Sequence, residues 1–546
     1  MKNIRHLACL IMFFACCSCI GDLDTLPLNE TDKTAQQVYQ TKEDFEKVLA
    51  YVYGSFSLVS QNNPHVSDIA VGDAGQSDLI RQFVMLNEMS ADGLKCIWGD
   101  SYITDLQNNS WSSTPNSAIT AVYTRTMMII TRANEFLLQS SQTSIEGIQG
   151  LRAEARFLRA LAYYIMMDLF GNPPFALENN IGGEMPSQIG REALFNWIEK
   201  ELKELHDGTE MPEIGDVPYP RATKGAVSAL LARMYLNAET YTGTPRWKEA
   251  RNYASDVISS GKYSLCTNYE HLFLQDNTEN EDARKEFIFA IAYDGLKTQT
   301  WGGTSHFLSA CLDYQGSLDI ARLLGYPEGS LITRDSWNGY HVPDEYVAFF
   351  ELSDITWEEG RTGFGYNRET SDRRALFYNV GCTKEYEVKN ASTGWRCWKY
   401  TSRDSQGKLY SRQEDPMLSS ADFALFRLAE MYLIYAEAQA RIDGGRTSDP
   451  LAIQYIQKLR SRAGVSTPSY IDTEFILKER ARELMWEGHR RTDLIRYGYY
   501  TSRNFPWPYK GGIPDGKVEL DTYRTVYPIL ESELNENLNL VQNEGY

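Results

Sequence analysis

The sequence predicts a mainly α protein, a scaffold of tetratricopeptide-like helical hairpins that carries a loop-rich, irregular ligand-binding insert. Three observations predict it. Apolar residues recur at helical spacing over Ser117–Ser140 and Ile145–Phe170, and the second run stops at Gly171-Asn172-Pro173-Pro174. Two Ala-rich runs, Arg221–Tyr235 and Trp247–Ser259, are joined by a short loop with Gly243 and Pro245, the pattern of a helical hairpin. Between residues 262 and 418 the helical period fades and Gly, Asn, Asp, Ser, Tyr and Trp dominate. Loops that long inside a compact protein are usually functional.

The elements follow in order. Met1–His6 carries Lys2 and Arg5, and Leu7–Ala15 is an apolar run too short to span a bilayer. Together they read as an export signal over residues 1–18, ending at Ser18-Cys19, the pattern of a lipoprotein cleavage site. Cys19 would become the lipid anchor; cleavage at an ordinary signal-peptidase site is the alternative. Residues 19–40 read as a polar tether. Thr41-x-x-Asp44 is a capping box ahead of Phe45, Leu49, Val52 and Phe56, and opens the first part of the scaffold, 41–261. The insert occupies 262–418. The scaffold resumes over 419–546 with helical patterns at Asp422–Ile442, Pro450–Ala463 and Thr473–Gly488, and Gly444-Gly445 as a break. These parts form one large unit, whereas 546 residues at ~150 per domain suggest three or four.

Composition narrows the function. Hydrophobic residues make up 42% and charged residues 23%, and the only long apolar run is the N-terminal one, so a polytopic membrane protein is excluded. A formal charge of −19 makes the chain a poor ligand for nucleic acid or anionic lipid. The five cysteines after Cys19 are odd in number and contain no CxxC, which argues against a disulfide framework or a thiolate zinc site. No GxGxxG, P-loop, HExxH or GxSxG occurs, and no two of the seven histidines stand four apart. No cofactor and no metal is expected. The acidic cluster of Asp276, Glu279, Glu281 and Asp282 lacks the ligand spacing of a calcium loop and reads as surface charge.

The helical segments also spell ordered motifs. Arg152-Ala-Glu-Ala-Arg-Phe-Leu-Arg-Ala-Leu-Ala-Tyr-Tyr164 runs into Asp168-Leu-Phe-Gly-Asn-Pro-Pro-Phe175. Later come Arg427-Leu-Ala-Glu-Met-Tyr-Leu-Ile-Tyr-Ala-Glu-Ala438, Leu459-Arg-Ser-Arg-Ala-Gly464, Glu479-Arg-Ala-Arg-Glu-Leu-Met-Trp-Glu-Gly488 and a closing Asn539-Leu-Val-Gln-Asn-Glu-Gly-Tyr546. In order and position these resemble the SusD/RagB family of outer-membrane nutrient-binding lipoproteins, over the whole chain. The resemblance implies a non-enzymatic, lipid-anchored protein facing the cell surface. It would hold a glycan for a SusC-like TonB-dependent transporter.

Cys266-Thr-Asn-Tyr269, Trp301-Gly-Gly-Thr304 and Trp507-x-x-Lys-Gly-Gly512 are most similar to the starch-binding founding member, which makes an α-glucan the first expected ligand. The resemblance implies a site of Arg81, Trp98, Ser101, Trp301 and Trp337, with Asp100 as the alternative to Ser101 for the polar contact. Thr278 and Ser420 stand where the relative has calcium-binding acids, and only Asp422 remains, which again argues against a metal.

The chemistry suits a sugar. An aromatic plane buries the C–H face of a pyranose at ~25 cal/mol per Å², and Arg or Asn pairs with the rim hydroxyls. Taken singly, Trp98 fits a core as well as a site. Trp301 and Trp337 have polar or Gly neighbours and read as exposed. Trp486 reads as core on a helix face, and Trp395 and Trp398 read as part of a strand. His306 is a further candidate contact. Two other functions compete: an exported glycoside hydrolase with an acid pair not singled out here, and a helical-repeat scaffold that binds only proteins.

Overall fold

The computed structural model describes residues 34–546, apart from 62, 181–182, 332–335, 358–364 and 411–417. The signal segment, Cys19 and most of the tether lie outside the described residues. The capping box is formed: Thr41 Oγ1 accepts from Asp44 N (3.2 Å), and the Asp44 carboxylate accepts from Thr41 N (3.0 Å). Helix α1 (Lys42–Gly54) then buries Phe45, Leu49 and Val52 on one face. Each contributes ~1.5–3 kcal/mol of transfer free energy. Two short helices, α2 (Leu79–Val84) and α3 (Ser101–Gln107), precede the long antiparallel pair α4 (Ser117–Ser141) and α5 (Ile148–Phe170). Asn116 caps α4 by accepting from Ala118 N and Ile119 N. Helix α5 starts three residues later than its apolar pattern, because Gly147 takes φ +78°.

Helices α6 (Arg191–Asp207), α7 (Lys224–Leu236) and α8 (Trp247–Ser259) stack in turn, α5 on α6, α6 on α7 and α7 on α8. Helix α9 (Gly303–Ala310) and α10 (Tyr314–Leu324) lie in the 262–418 region. The stack then continues with α11 (Leu428–Ile442), α12 (Pro450–Ala463) and α13 (Thr473–Glu483): α8 packs on α11, and α11 on α12 and α13. Helices from both ends of the chain thus form one layered array around a contiguous core. The fold is mainly α and tetratricopeptide-like. Among the described residues no helix is long and apolar enough to cross a membrane.

Several elements differ from the sequence reading, each for a tertiary reason. Asp422–Ile442 is not all helix. Phe423–Arg427 is a strand, antiparallel to Phe287–Ile291 with Ile291 opposite Phe423 and Phe287 opposite Arg427. Both strands are buried throughout, so pairing and packing override local preference. The last pattern ends at Glu483, not Gly488. The N–H groups of Gly488 and His489 are taken by the Glu88 carboxylate (2.9 and 3.0 Å), and Trp486 sits at φ +59°. Trp486 is core, as read, but on this turn and not on a helix. Its ring is 1% exposed and its N–H donates to Gly93 O (2.9 Å).

Helices α9 and α10 break the loop texture. Helix α9 is buried all round and shows no amphipathic stripe. Helix α10 carries legible ends, Asp313 as N-cap and Gly325 left-handed at the C-terminus.

The five cysteines after Cys19 are buried free thiols, and burial pushes the Cys96 and Cys397 thiols up to about 12. Trp395 and Trp398 are buried. In the acidic cluster Asp276 accepts from Ser405 N and Oγ, and Asp282 from Thr267 N. Asp422 is buried and accepts from Tyr219 Oη and Tyr293 N, both at 2.8 Å; burial raises its carboxyl to about 6.

Candidate functional site

Three loops and two short helices converge on one open depression of about 590 Å³. Asp78 caps α2 by accepting from Arg81 N (2.8 Å), and the same buried carboxylate accepts from Gly303 N (2.9 Å) and Thr300 Oγ1 (3.1 Å). One aspartate therefore fixes both Arg81 and the loop that bears Trp301. A Cβ on Gly302 would meet Asp78 Cβ at 2.0 Å, so only glycine allows that approach.

Helix α9 then acts as a spacer. It starts two residues after Trp301, and its end holds the backbone of the third tryptophan: Trp337 N donates to Ser309 O (2.7 Å) and Gly339 N to Ala310 O (2.9 Å). Eight helical residues separate the two ends by about 12 Å. Trp98 is brought in by a two-residue antiparallel pair, Lys95 opposite His341 and Cys96 opposite Tyr340. A Cβ on Gly339 would meet the Trp98 ring at 2.3 Å, so this glycine is what lets the indole lie against the chain.

The depression is lined by Arg81, Trp98, Trp301 and Trp337, so four of the five residues singled out in the sequence come together. Ser101 does not join them. It is exposed as the first residue of α3, but Asp100, one residue earlier, lines the depression instead. The cap residue lies outside the helical twist, so its side chain leaves in a different direction from that of the first helical residue.

Trp98 and Trp337 stand with ring centroids 6.1 Å apart and planes at 61°, and Trp98 Nε1 donates to Trp337 O (3.3 Å). Trp337 is 37% exposed; Trp98 and Trp301 are half-buried. His306 does not line the surface. It is buried beneath it, 5.8 Å from Trp98 and 5.7 Å from Trp337, with Nε2 2.6 Å from Tyr340 Oη. Burial, aided by Arg81, holds it well below the usual imidazole range, so it is a neutral packing element.

Arg81 is 5% exposed. Its guanidinium donates to Tyr102 Oη (3.1 Å), and its Nε has no partner among the described residues. Arg81 lines the depression, so its guanidinium can offer the N–H groups that face the opening to a ligand. The sequence reading missed His65, Asp73, Gln76 and Tyr102, which also line the depression. His65 Nδ1 accepts from Trp301 Nε1 (3.1 Å) and orients that ring.

A mainly helical scaffold that carries an open aromatic platform, and not an enclosed pocket, has the form of a binding protein. Sequence comparison gives the family. A profile described as "SusD family" matches residues 278–546, and one described as "Starch-binding associating with outer membrane" matches residues 32–236. The chain is 34% identical to the starch-binding protein SusD of Bacteroides thetaiotaomicron, over 97% of this chain and 96% of that protein. A SusD-like protein of Bacteroides ovatus is 25% identical over 91% of this chain and 83% of its own length. The chain belongs to the SusD family.

Among solved structures, a laminarin-binding SusD-like protein superposes with a TM-score of 0.68 at 21% identity, covering 93% of this chain and 100% of its own. Surface glycan-binding protein A of B. thetaiotaomicron, in complex with laminarihexaose, gives 0.66 at 19%, with 92% and 100% covered. These two confirm the fold.

Proposed function

We propose that this protein is a surface-facing glycan-binding lipoprotein of the outer membrane, which captures an α-glucan and passes it to a SusC-like TonB-dependent transporter. The observation that carries the reading is the shared depression of Trp98, Trp301, Trp337 and Arg81, drawn from segments up to 256 residues apart (337 − 81). Each indole offers an apolar plane for one sugar face. Because the Trp98 and Trp337 planes meet at 61°, sugars lying on both must turn relative to each other. A helically curved α-glucan does this; a flat ribbon does not. Arg81 supplies donors to the hydroxyl rim, and Asp73 and Asp100 supply acceptors. The full-length likeness to a starch-binding protein supports the same ligand.

The protein binds without cutting. Native-gel retardation by starch, without release of reducing sugar on long incubation, tests this. Sugar release would favour a hydrolase using Asp73 and Asp100; no retardation by starch alongside retardation by another polysaccharide would move the ligand to that glycan. The anchor is Cys19. Cys19→Ala should shift the protein out of the membrane fraction or leave the precursor uncleaved, and unchanged fractionation with normal processing would remove this part of the reading.

A further inference from the structure

One wall of the depression belongs to an irregular stretch, residues 63–77, whose attachment to the helical stack the glycan reading does not use. The stretch brings His65, Asp73 and Gln76 to the depression. It also touches two of the binding residues. His65 holds the Trp301 indole, and a Cβ on Gly75 would meet Trp301 O at 2.9 Å and Arg81 Nη1 at 3.1 Å. Where this stretch sits therefore limits where both Trp301 and Arg81 sit.

Little apolar burial holds it in place. Val66 is exposed, and Ile69 and Val71 pack with Ala121 of α4, against Met128, in a small cluster separate from the main core. The one regular element of the stretch is a single 3₁₀ turn, Gly75–Ser77. A segment with so few buried apolar contacts is prone to open locally.

A guanidinium takes the place of a larger core. Arg125, on α4, is 1% exposed. Its Nε donates to Ser77 O (2.8 Å), and its Nη2 to Val59 O (2.8 Å) and Ser77 Oγ (3.1 Å). Its Nη1 is paired with the Asp68 carboxylate, and Asp68 N donates to Val59 O (3.0 Å). One planar fork thus joins a residue before the stretch, one in its middle and one at its end. Arg132, also on α4, reaches Asp68 (3.3 Å), but its other bond goes to Ser55 Oγ (2.7 Å). Arginine suits this task, because lysine carries a compact charge without the fork. Ser77 leads directly into Asp78, the cap that fixes Arg81 N and Gly303 N. Burial raises the Asp78 carboxyl; its hydrogen bonds and the Arg125 charge oppose the rise.

We propose that Arg125, which does not line the depression, is a positioning residue of the platform: its guanidinium holds residues 63–77 so that His65, Trp301 and Arg81 meet a glycan in one arrangement. The inference rests on the glycan reading above. The test uses the full-length protein, with soluble starch in native gels, thermal melting, and amide hydrogen exchange resolved by segment. Arg125→Lys keeps a charge beside Asp68 and loses the fork. It should melt close to the wild type and exchange faster across 63–77, with α11 and α12 unchanged. It should bind starch roughly three- to tenfold more weakly, the scale of one or two lost hydrogen bonds. In a Trp301→Ala background the same change should cost less than about twofold, because the ring it helps to position is gone. An arginine with only a structural role would lower melting and leave the affinity of the folded protein unchanged.

Should Arg125→Lys melt early, Asp68→Asn must show the faster local exchange and a loss of affinity of about twofold or more in its place. A stable Arg125→Lys protein with wild-type affinity overturns the inference and leaves the glycan reading standing. Equal losses with and without the Trp301 ring do the same. A wild type that no polysaccharide retards overturns both.

Discussion

The aromatic platform and the charged centre of the C-terminal helices treat polar and apolar groups in opposite ways. In the platform, indoles stand half in water while Arg81 is sunk beside them with unused donors. In the C-terminal region the cations are sunk too, but their charges are matched. Arg427 meets Glu286 (2.8 Å), Glu483 (2.7 Å) and Glu487 (2.6 Å), and Arg374 meets Asp372, Glu479 and Glu483 at 2.7, 2.7 and 3.1 Å. These side chains are all but fully buried. A buried charge with complete partners locks one arrangement of helices. Arg81 has no carboxylate partner among the described residues, only the Tyr102 hydroxyl, and it lines an open depression. The difference separates what holds the protein together from what it does.

The sharpest way to break this contrast is to remove a cation from the matched centre. Arg427→Met leaves Glu286, Glu483 and Glu487 buried together, and should cost about 3–5 kcal/mol of stability. Thermal melting reads it, and glycan affinity of the protein still folded should not change. If Arg427→Met melts like the wild type, the matched centre is not what holds these helices.

Acid should attack the same region next. Burial alone would raise the Glu479 carboxyl, but Arg374, Arg482 and Arg460 hold it down at about 2. A depressed carboxyl contributes stability that is complete above its unfolded value near ~4.3 and is lost as pH falls through the folded value. Unfolding free energy should therefore fall between about pH 4.5 and 2, by on the order of 3 kcal/mol for this group, and the melting temperature should fall with it. A flat profile over that window would contradict it.

The platform should respond in the reverse sense. Trp301→Ala and Trp337→Ala should each weaken starch binding by roughly five- to hundredfold, as ~1–3 kcal/mol per stacked ring implies, with little change in melting. Early melting with normal binding would make these rings core. The smallest effect is expected at His65. Its loss in His65→Leu should release the Trp301 indole from one hydrogen bond, worth about 0.5–1.5 kcal/mol, so affinity should fall less than for Trp301→Ala. His65→Gln, which keeps an acceptor, should recover part of it; equal losses in both would remove the orienting role.

Much of the scaffold was legible residue by residue. The Thr41–Asp44 box, the Gly171-Asn-Pro-Pro stop and the Pro450–Ala463 span carry their own signals in caps and 3.6-residue spacing. The platform was legible only through the family likeness. By local context Trp98 was ambiguous, and nothing near Asp73 or His65 marked them. Ser101 was expected where Asp100 stands, a shift of one residue that helix geometry decides.

The sequence by itself determined the helix ends that carry their own signal, such as the Thr41–Asp44 box and the Gly171-Asn-Pro-Pro stop, because capping and chain breaking act within a few residues. Only the tertiary structure decided which rings meet. Asp78 reaches Gly303 across 225 positions, and Trp98 reaches Trp337 across 239. Contacts at that range have no repeat in the sequence; they exist only once the helical stack has fixed the distance between the loops.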